Sequence, residues 1–455
     1  MIPEKFLARM RKMPHLDFDA FCRALEQPAV RGLRVNTLKT DAKTVCALLP
    51  FEVTPLPFTE NGFYAPSDKV GALPCHHAGM IYMQDPGAMS TVAAATPKSG
   101  ETVLDMCAAP GGKSTQLAAA IAPDGILVSN EYVPARAKIL QGNIERMGCP
   151  DTIVTNLATD ALARFYGSCF DLVVTDVPCS GEGMLRKYEI AGEEWSEENV
   201  RLCAERGWEI LQNAAKCVKP GGKLLFSTCT FAPEENELQI DRFLCEHPDF
   251  SLLPVAPEIQ RITADGVNFE GLSHDMTPTR RFYPHLSPGE GQFVALLQRS
   301  AEASLIPGER DGAKQPDKKD AATVLDFWKS TLKTPPVGRL VQLRDDIYLA
   351  PDLPIPPRGT YAPGICVGTL QKGRIVPHHQ LFTACGKDFF RTISLSHGDP
   401  RAELYLRGEE IALTADEATC GNGFAAVLYE GAPLGGGKIV GDRLKNHYPK
   451  GLRNR

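Results

Sequence analysis

From about residue 71 to about residue 300, short apolar runs alternate with stretches of helical period, and that alternation restricts the chain to one fold class. The runs are Thr102-Val103-Leu104-Asp105-Met106, Gly125 to Glu131, Asp171-Leu172-Val173-Val174-Thr175, Lys223-Leu224-Leu225-Phe226 and Phe293 to Leu297. Helical stretches stand between them near residues 114–122, 135–147, 194–217 and 234–246. Repeated strand–helix units of this kind imply an α/β domain, a parallel sheet with helices on both faces. In such sheets ligands and chemistry gather beyond the carboxyl ends of the strands.

Composition narrows the setting. The chain has 455 residues, enough for two to four domains. Hydrophobic residues make up 43% and charged residues 23%, which permits a sizeable core and excludes global disorder. A net charge of −6 excludes a protein coated in basic residues, though not local basic patches. There are 14 cysteines but no Cys-x-x-Cys pair, which argues against a zinc ribbon. Cys75-His76-His77 has no second ligand cluster at suitable spacing, so no metal is expected. Met1-Ile2-Pro3-Glu4-Lys5 lacks the apolar stretch of a signal peptide, and no apolar run is long enough to span a bilayer. A cytoplasmic, monomeric protein with reduced thiols is the expectation.

Five regions are expected. Residues 1–70 form an N-terminal region with eight Lys/Arg against four Asp/Glu in its first forty residues. Within it, residues 31–39 alternate basic and apolar side chains. They read as a basic edge strand touching nucleic acid or, more commonly for such a pattern, as an ordinary solvated strand. Residues 71–300 are the catalytic domain. Residues 301–322 are polar, charge-mixed and aperiodic, which reads as a linker. Residues 323–392 form a small intermediate domain and residues 393–455 a last one. Both are strand-rich, with Leu404-Tyr405-Leu406-Arg407 and Ala425-Ala426-Val427-Leu428-Tyr429 as strand-like pieces.

Three motifs follow predicted strands. The first is Asp105-Met106-Cys107-Ala108-Ala109-Pro110-Gly111-Gly112-Lys113. Its glycines let backbone N–H groups approach a ligand, and the following helix N-terminus favours negative charge. Glu131 ends the next strand, where nucleotide folds place a carboxylate on ribose hydroxyls. The spacing is neither Gly-x-Gly-x-x-Gly nor a P-loop. The strand, turn, helix and acid together point to a nucleoside cofactor. The second motif is Asp176-Val177-Pro178-Cys179. Its proline fixes the backbone beside the thiol, and Asp176 ends a buried strand, where it needs a partner and can bond a nucleobase. The third is Ser227-Thr228-Cys229-Thr230, followed by Glu234-Glu235-Asn236. A thiolate is the nucleophilic form of cysteine, so a nucleophile here needs a feature that lowers its pKa from about 8.5. Alone, Cys179 reads better as a packed free cysteine in a turn, and for Cys229 a buried structural cysteine is the alternative. Two thiols at neighbouring strand ends point to cysteine chemistry.

At these motifs the chain resembles the Nop/Sun family of RNA cytosine-C5 methyltransferases, over roughly residues 30 to 300. Its tail, with Gly435-Gly436-Gly437-Lys438 and the segment from Lys445 to Arg453, is similar to the PUA-like C-terminal module of the bacterial RsmF-type enzymes, which modify 16S ribosomal RNA. The resemblance implies a Rossmann-like class I methyltransferase sheet and S-adenosylmethionine as cofactor. It places Cys107, Ala108, Ala109, Pro110, Gly111, Gly112 and Lys113 around the methionine part, Glu131 on the ribose, Asp160 near the adenine and Asp176 near the reacting groups. Val177 stands where the family more often has alanine.

The resemblance also orders the chemistry. Cytosine C5 is a poor nucleophile until a thiolate adds to C6, a covalent step assigned to Cys229. Release after methylation is assigned to Cys179, and Asp176 to hydrogen bonds with cytosine N3 and the exocyclic amine. The target base must be unpaired or flipped out. RNA engagement is expected from the N-terminal basic stretch and from the last eighteen residues, which hold six Lys/Arg and one Asp, with Tyr448 placed for stacking. The rivals are a DNA cytosine methyltransferase with Cys179 as nucleophile, an enzyme acting on tRNA or another RNA, and a non-catalytic ribosome assembly factor.

Overall fold

The computed structural model describes residues 2–67, 69–309 and 311–454. Arg310 of the expected linker and Arg455 of the basic tail lie outside the described residues, as does Met1.

The centre of the molecule is a ten-stranded sheet. Its parallel strands are Thr102–Asp105, Ile126–Asn130, Thr152–Thr155, Phe170–Asp176 and Val218–Thr228. The chain starts at Thr102–Asp105, runs outward through the next two strands, then returns to the other side of the first with Phe170–Asp176. That reversal is the switch point at which doubly wound sheets bind ligands. Each strand is apolar on both faces because both faces are covered. Leu104, Val128, Ile153, Val173 and Leu224 pack into one buried cluster, while their neighbours Val103, Leu127, Val154, Leu172 and Leu225 pack into the other.

The sheet is mixed. Gln292–Arg299 runs antiparallel to Val218–Thr228, and further antiparallel strands flank it. At the opposite edge the sheet recruits Thr360–Ala362, from the region expected to be a separate small domain. The stretch expected as a linker is stitched down. Ile306 O accepts from Ser168 N at 2.9 Å, and Glu309 N donates to Phe165 O at 2.7 Å. The last expected linker residues open the helix Lys318–Thr331, capped by Asp317.

Three expectations are corrected here. Leu404 to Arg407 is not a strand but the end of a helix, Pro400–Arg407. Asp399 caps it, Pro400 takes its first turn, and Gly408 closes it at φ 84°, so the punctuation of a helix outweighs four residues of strand-like composition. The basic strand Gly32–Val35 is neither an edge nor solvated. It lies between Gly62–Tyr64 and Ile81–Met83. Arg34 is buried and donates to Gln84 Oε1 (2.9 Å), Gly112 O (3.1 Å) and Thr115 Oγ1 (2.6 Å). Tyr448 is also buried. Its hydroxyl meets His77 Nδ1 at 2.7 Å, so it cannot stack on RNA.

Lys39 shows why these basic residues point inward. Its buried Nζ donates to Ala78 O (2.8 Å), Arg146 O (3.0 Å) and Pro433 O (3.0 Å), joining the N-terminal region, the catalytic domain and the last domain. Burial, with the Arg146 charge adding to it, lowers its pKa to about 7. Three carbonyls satisfy its three donors, and truncation leaves all three dry. Lys39→Ala is expected to lower stability by about 2–4 kcal/mol, read as a reduced denaturation midpoint. An unchanged midpoint would mean that water replaces the ammonium without loss.

Candidate active site

The three sequence motifs meet at the switch point. Thr102–Asp105 ends at the turn 106–111, where Gly111 adopts φ 111° and opens the helix Gly112–Ile121. A side chain at 111 would be strained in that conformation, which explains glycine there. Asp105 is fully buried. Its Oδ2 accepts from Ser114 Oγ at 2.6 Å, while Oδ1 has no hydrogen-bond partner within bonding distance among the described residues. Burial raises its pKa to about 7.

Beyond the strand ends lies a cavity of ≈ 790 Å³, within the range of small-molecule sites. Cys107, Ala109, Glu131 and Asp160 line it, and so do Asp176, Cys179 and Cys229. Ala108, Pro110 and Gly111 belong to the turn and Gly112 and Lys113 open the helix after it, without lining the cavity. Glu131 is buried and accepts from Val133 N at 2.8 Å, with Arg136 at 3.5 Å. Asp160 stands in the first turn of Thr159–Tyr166, largely exposed and paired with Arg164 at 2.7 Å. That hydrogen bond holds its carboxyl below the usual range. Tyr132, Arg136 and Asn213 also line the cavity and were missed from sequence. Only Tyr132 and Arg136 had a local signal, as they follow the acidic strand end.

Asp176 and the cysteines form a compact set. Asp176 Oδ2 binds Lys113 Nζ at 2.7 Å, and Oδ1 accepts from Ser227 Oγ (2.7 Å) and Gln292 Nε2 (3.3 Å). About one lone-pair site of this carboxylate is left for a further donor. Burial works to lower the Lys113 pKa, but Asp176 outweighs it and the net direction is up. Lys113 therefore stays cationic and fixes Asp176. Cys179 Sγ lies 3.2 Å from Cys229 Sγ, and Cys229 N donates to Cys179 Sγ at 3.3 Å. The hydrogen bond shared with Cys229, then burial, push the Cys179 thiol well up. At neutral pH Cys179 is a thiol and can donate to the Cys229 sulfur.

A switch-point cavity beside a glycine turn, with a buried acid after the next strand, defines a Rossmann-like nucleoside-binding fold, and the relatives make it a methyltransferase. A methyltransferase homologue from Pyrococcus horikoshii of known crystal structure is similar, with TM-score 0.56 and 28% identity over 65% of this chain and 95% of that one. The family model described as 16S rRNA methyltransferase RsmB/F matches residues 92–298. Models for the N-terminal domain of 16S rRNA methyltransferase RsmF and for the RsmF PUA domain match residues 2–86 and 392–454. Two curated relatives carry the name ribosomal RNA small subunit methyltransferase F. The Klebsiella pneumoniae protein is 33% identical over 99% of this chain and 96% of its own length. The Shewanella baltica protein is 32% identical, over 96% and 93%. The chain belongs to the family of ribosomal RNA small subunit methyltransferase F.

Proposed function

We propose that this chain transfers a methyl group from S-adenosylmethionine to C5 of a cytosine in 16S ribosomal RNA, as a cytoplasmic monomer, through a bond between Cys229 and cytosine C6. The observation that carries this reading is the pair of sulfurs 3.2 Å apart at the mouths of neighbouring strands, beside a fixed carboxylate. The family's name supports methylation of small-subunit RNA. Among the described residues no helix is long and apolar enough to cross a membrane.

The residues fit the cofactor. Bound, S-adenosylmethionine supplies an electrophilic methyl group. The unpartnered Asp105 Oδ1, next to the turn, suits the amino group of its methionine part. Glu131 offers a buried carboxylate to ribose hydroxyls, and Asp160 and Tyr132 border the space for the base.

The two thiols divide the work by protonation. Cys179, held as a thiol, donates toward Cys229 and favours a nucleophilic sulfur there. Attack joins that sulfur to C6 and makes C5 electron-rich. Asp176, held by Lys113 and Ser227, offers its remaining acceptor site to an N–H of the cytosine amine and so orients the ring for attack. Bonding to C6 takes up the charge on the Cys229 sulfur that held the Cys179 proton, so Cys179 can give that proton to solvent. As a thiolate it then takes the C5 proton, the C5–H electrons restore the C5=C6 bond, and the S–C6 bond breaks with its electron pair returning to Cys229.

Cys229→Ala should abolish labelled-methyl incorporation into small-subunit RNA while cofactor affinity, measured by calorimetry, stays within about twofold, since 1.4 kcal/mol is tenfold. Turnover by this variant would overturn the nucleophile assignment. Cys179→Ala should accumulate a denaturant-resistant protein–RNA band that Cys229→Ala lacks. If that band never appears, Cys179 has no part in release. Glu131→Ala removes hydrogen bonds to a charged group and should weaken cofactor binding by about 10–100-fold. Unchanged binding would remove Glu131 from the ribose site.

A further inference from the structure

Beneath the cysteine pair lies a buried chain of oxygens. Glu235 accepts from Ser180 N at 2.9 Å through Oε2, and its Oε1 lies 2.5 Å from Ser180 Oγ. Ser180 Oγ lies 2.9 Å from Thr230 Oγ1, and Thr230 Oγ1 lies 3.0 Å from Glu182 Oε2. Glu182 also accepts from Trp195 Nε1 (3.0 Å) and Phe231 N (3.1 Å). All four side chains belong to buried residues. Ser180 follows Cys179 in the chain and Thr230 follows Cys229, so this line of contacts is a strap between the two cysteine loops.

The strap has a proton count. Its three oxygen–oxygen contacts need three hydrogens, and the two hydroxyls supply two. With both glutamates ionised, one contact would set two bare lone pairs against each other. A third hydrogen on Glu235 Oε1 completes the line: Glu235 donates to Ser180, Ser180 to Thr230, and Thr230 to Glu182. Glu182 suits the ionised end, because two N–H groups already donate to it.

We infer that Glu235 and Glu182 share one proton through the Ser180 and Thr230 hydroxyls, and that this proton holds the Cys179 and Cys229 loops in working register. Glu235 is thus a positioning residue for the proposed reaction, on which its activity test rests. Two aligned shifts support it. Burial raises Glu235 to about 7, with the Glu182 charge adding to it, and burial raises Glu182 as well. The other groups facing the strap are few. Cys203 and Arg206 come from the helix Glu197–Cys217, Cys179 and Cys229 from the loops above, and Arg9 from the helix Glu4–Met10, where it pairs with Glu234 at 2.6 Å. None of them bonds Glu235 in place of Ser180.

The sign follows from the raised pKa. The folded protein holds the Glu235 proton more tightly than the unfolded chain, so its stabilising effect is complete below about 4.5 and is lost as pH rises to about 7. Above that the strap lacks its third hydrogen and the loops relax. Glu235→Gln keeps the donor, through its amide N–H to Ser180 Oγ, and the acceptor for Ser180 N–H, but cannot ionise. Melting temperatures of the full-length protein from pH 5 to 8 should fall for wild type relative to Glu235→Gln, by about 4 °C or more up to pH 7, then run parallel. In methyl transfer, wild-type kcat should fall about fivefold or more from pH 7 to 8.5, while Glu235→Gln should vary by less than about twofold and Glu235→Ala should be slow throughout. Parallel melting curves at all pH would overturn the shared proton. A falling limb equal in wild type and Glu235→Gln, no limb in wild type, or a Glu235→Gln as slow as Glu235→Ala would overturn the positioning role. Melting needs no substrate, so a failure of the proposed function, with no product from wild type at any pH, stays distinct from a failure of the strap.

Discussion

One strand register governs this candidate site. Phe170–Asp176 and Val218–Thr228 pair in parallel with Asp176 opposite Ser227, and Val177 N donates to Ser227 O at 3.0 Å where the strands part. Val177 and Pro178 then separate Asp176 from Cys179, and Thr228 alone separates Ser227 from Cys229. The 3.2 Å between sulfurs, the Ser227 hydroxyl on Asp176 and the contact of Ser180 with Thr230 all descend from that one alignment. A slip of one residue would exchange inward and outward side chains along the strand and separate the sulfurs. The register is secure because both faces are buried: Val173 and Val174 point into different cores and neither can take the other's place without exposing a packed strand.

The parts legible in sequence were those whose cause is local. A strand buried on both faces is a run of apolar residues wherever it stands, so four of the five parallel strands and their tips were visible, while Thr152–Thr155, with only two aliphatic residues between threonines, was not. The cavity-lining Cys107, Glu131, Asp176, Cys179 and Cys229 could be named because the fold class puts chemistry at those tips. Leu404 to Arg407 was misjudged because four residues carry too little period to separate strand from helix. The cap at Asp399 and the glycine at 408 held the answer. Glu235 stood in a quoted motif, yet its task was hidden. The sequence period suggested a helix from residue 234. The chain instead makes a short 3₁₀ turn, Pro233–Glu235, and breaks at Asn236, which is tied to Thr228 and Thr230.

Charge was the least legible property. Counting lysines and arginines assumes that each faces solvent, and here several do not. Arg34 and Lys39 spend their donors on backbone and side-chain oxygens brought from elsewhere in the chain. Arg146 likewise donates to His76 O and Ile81 O. A guanidinium or ammonium satisfied by carbonyls is an assembly pin, and its distant partners leave no trace in the local sequence. The same distance explains Tyr448, whose partner His77 precedes it by most of the chain.

The core shared by the first and last regions has a consequence for how the protein is made. Leu33, Val35 and Ile81 bury against the same cluster as Ile393, Tyr405, Leu434 and Tyr448. A ribosome delivers the first group long before the second, so the early sheet waits with an unfinished apolar face while the catalytic domain is synthesised. Chains cut short before residue 393 lack the partners of that face and of Lys39, and expose what a folded protein hides.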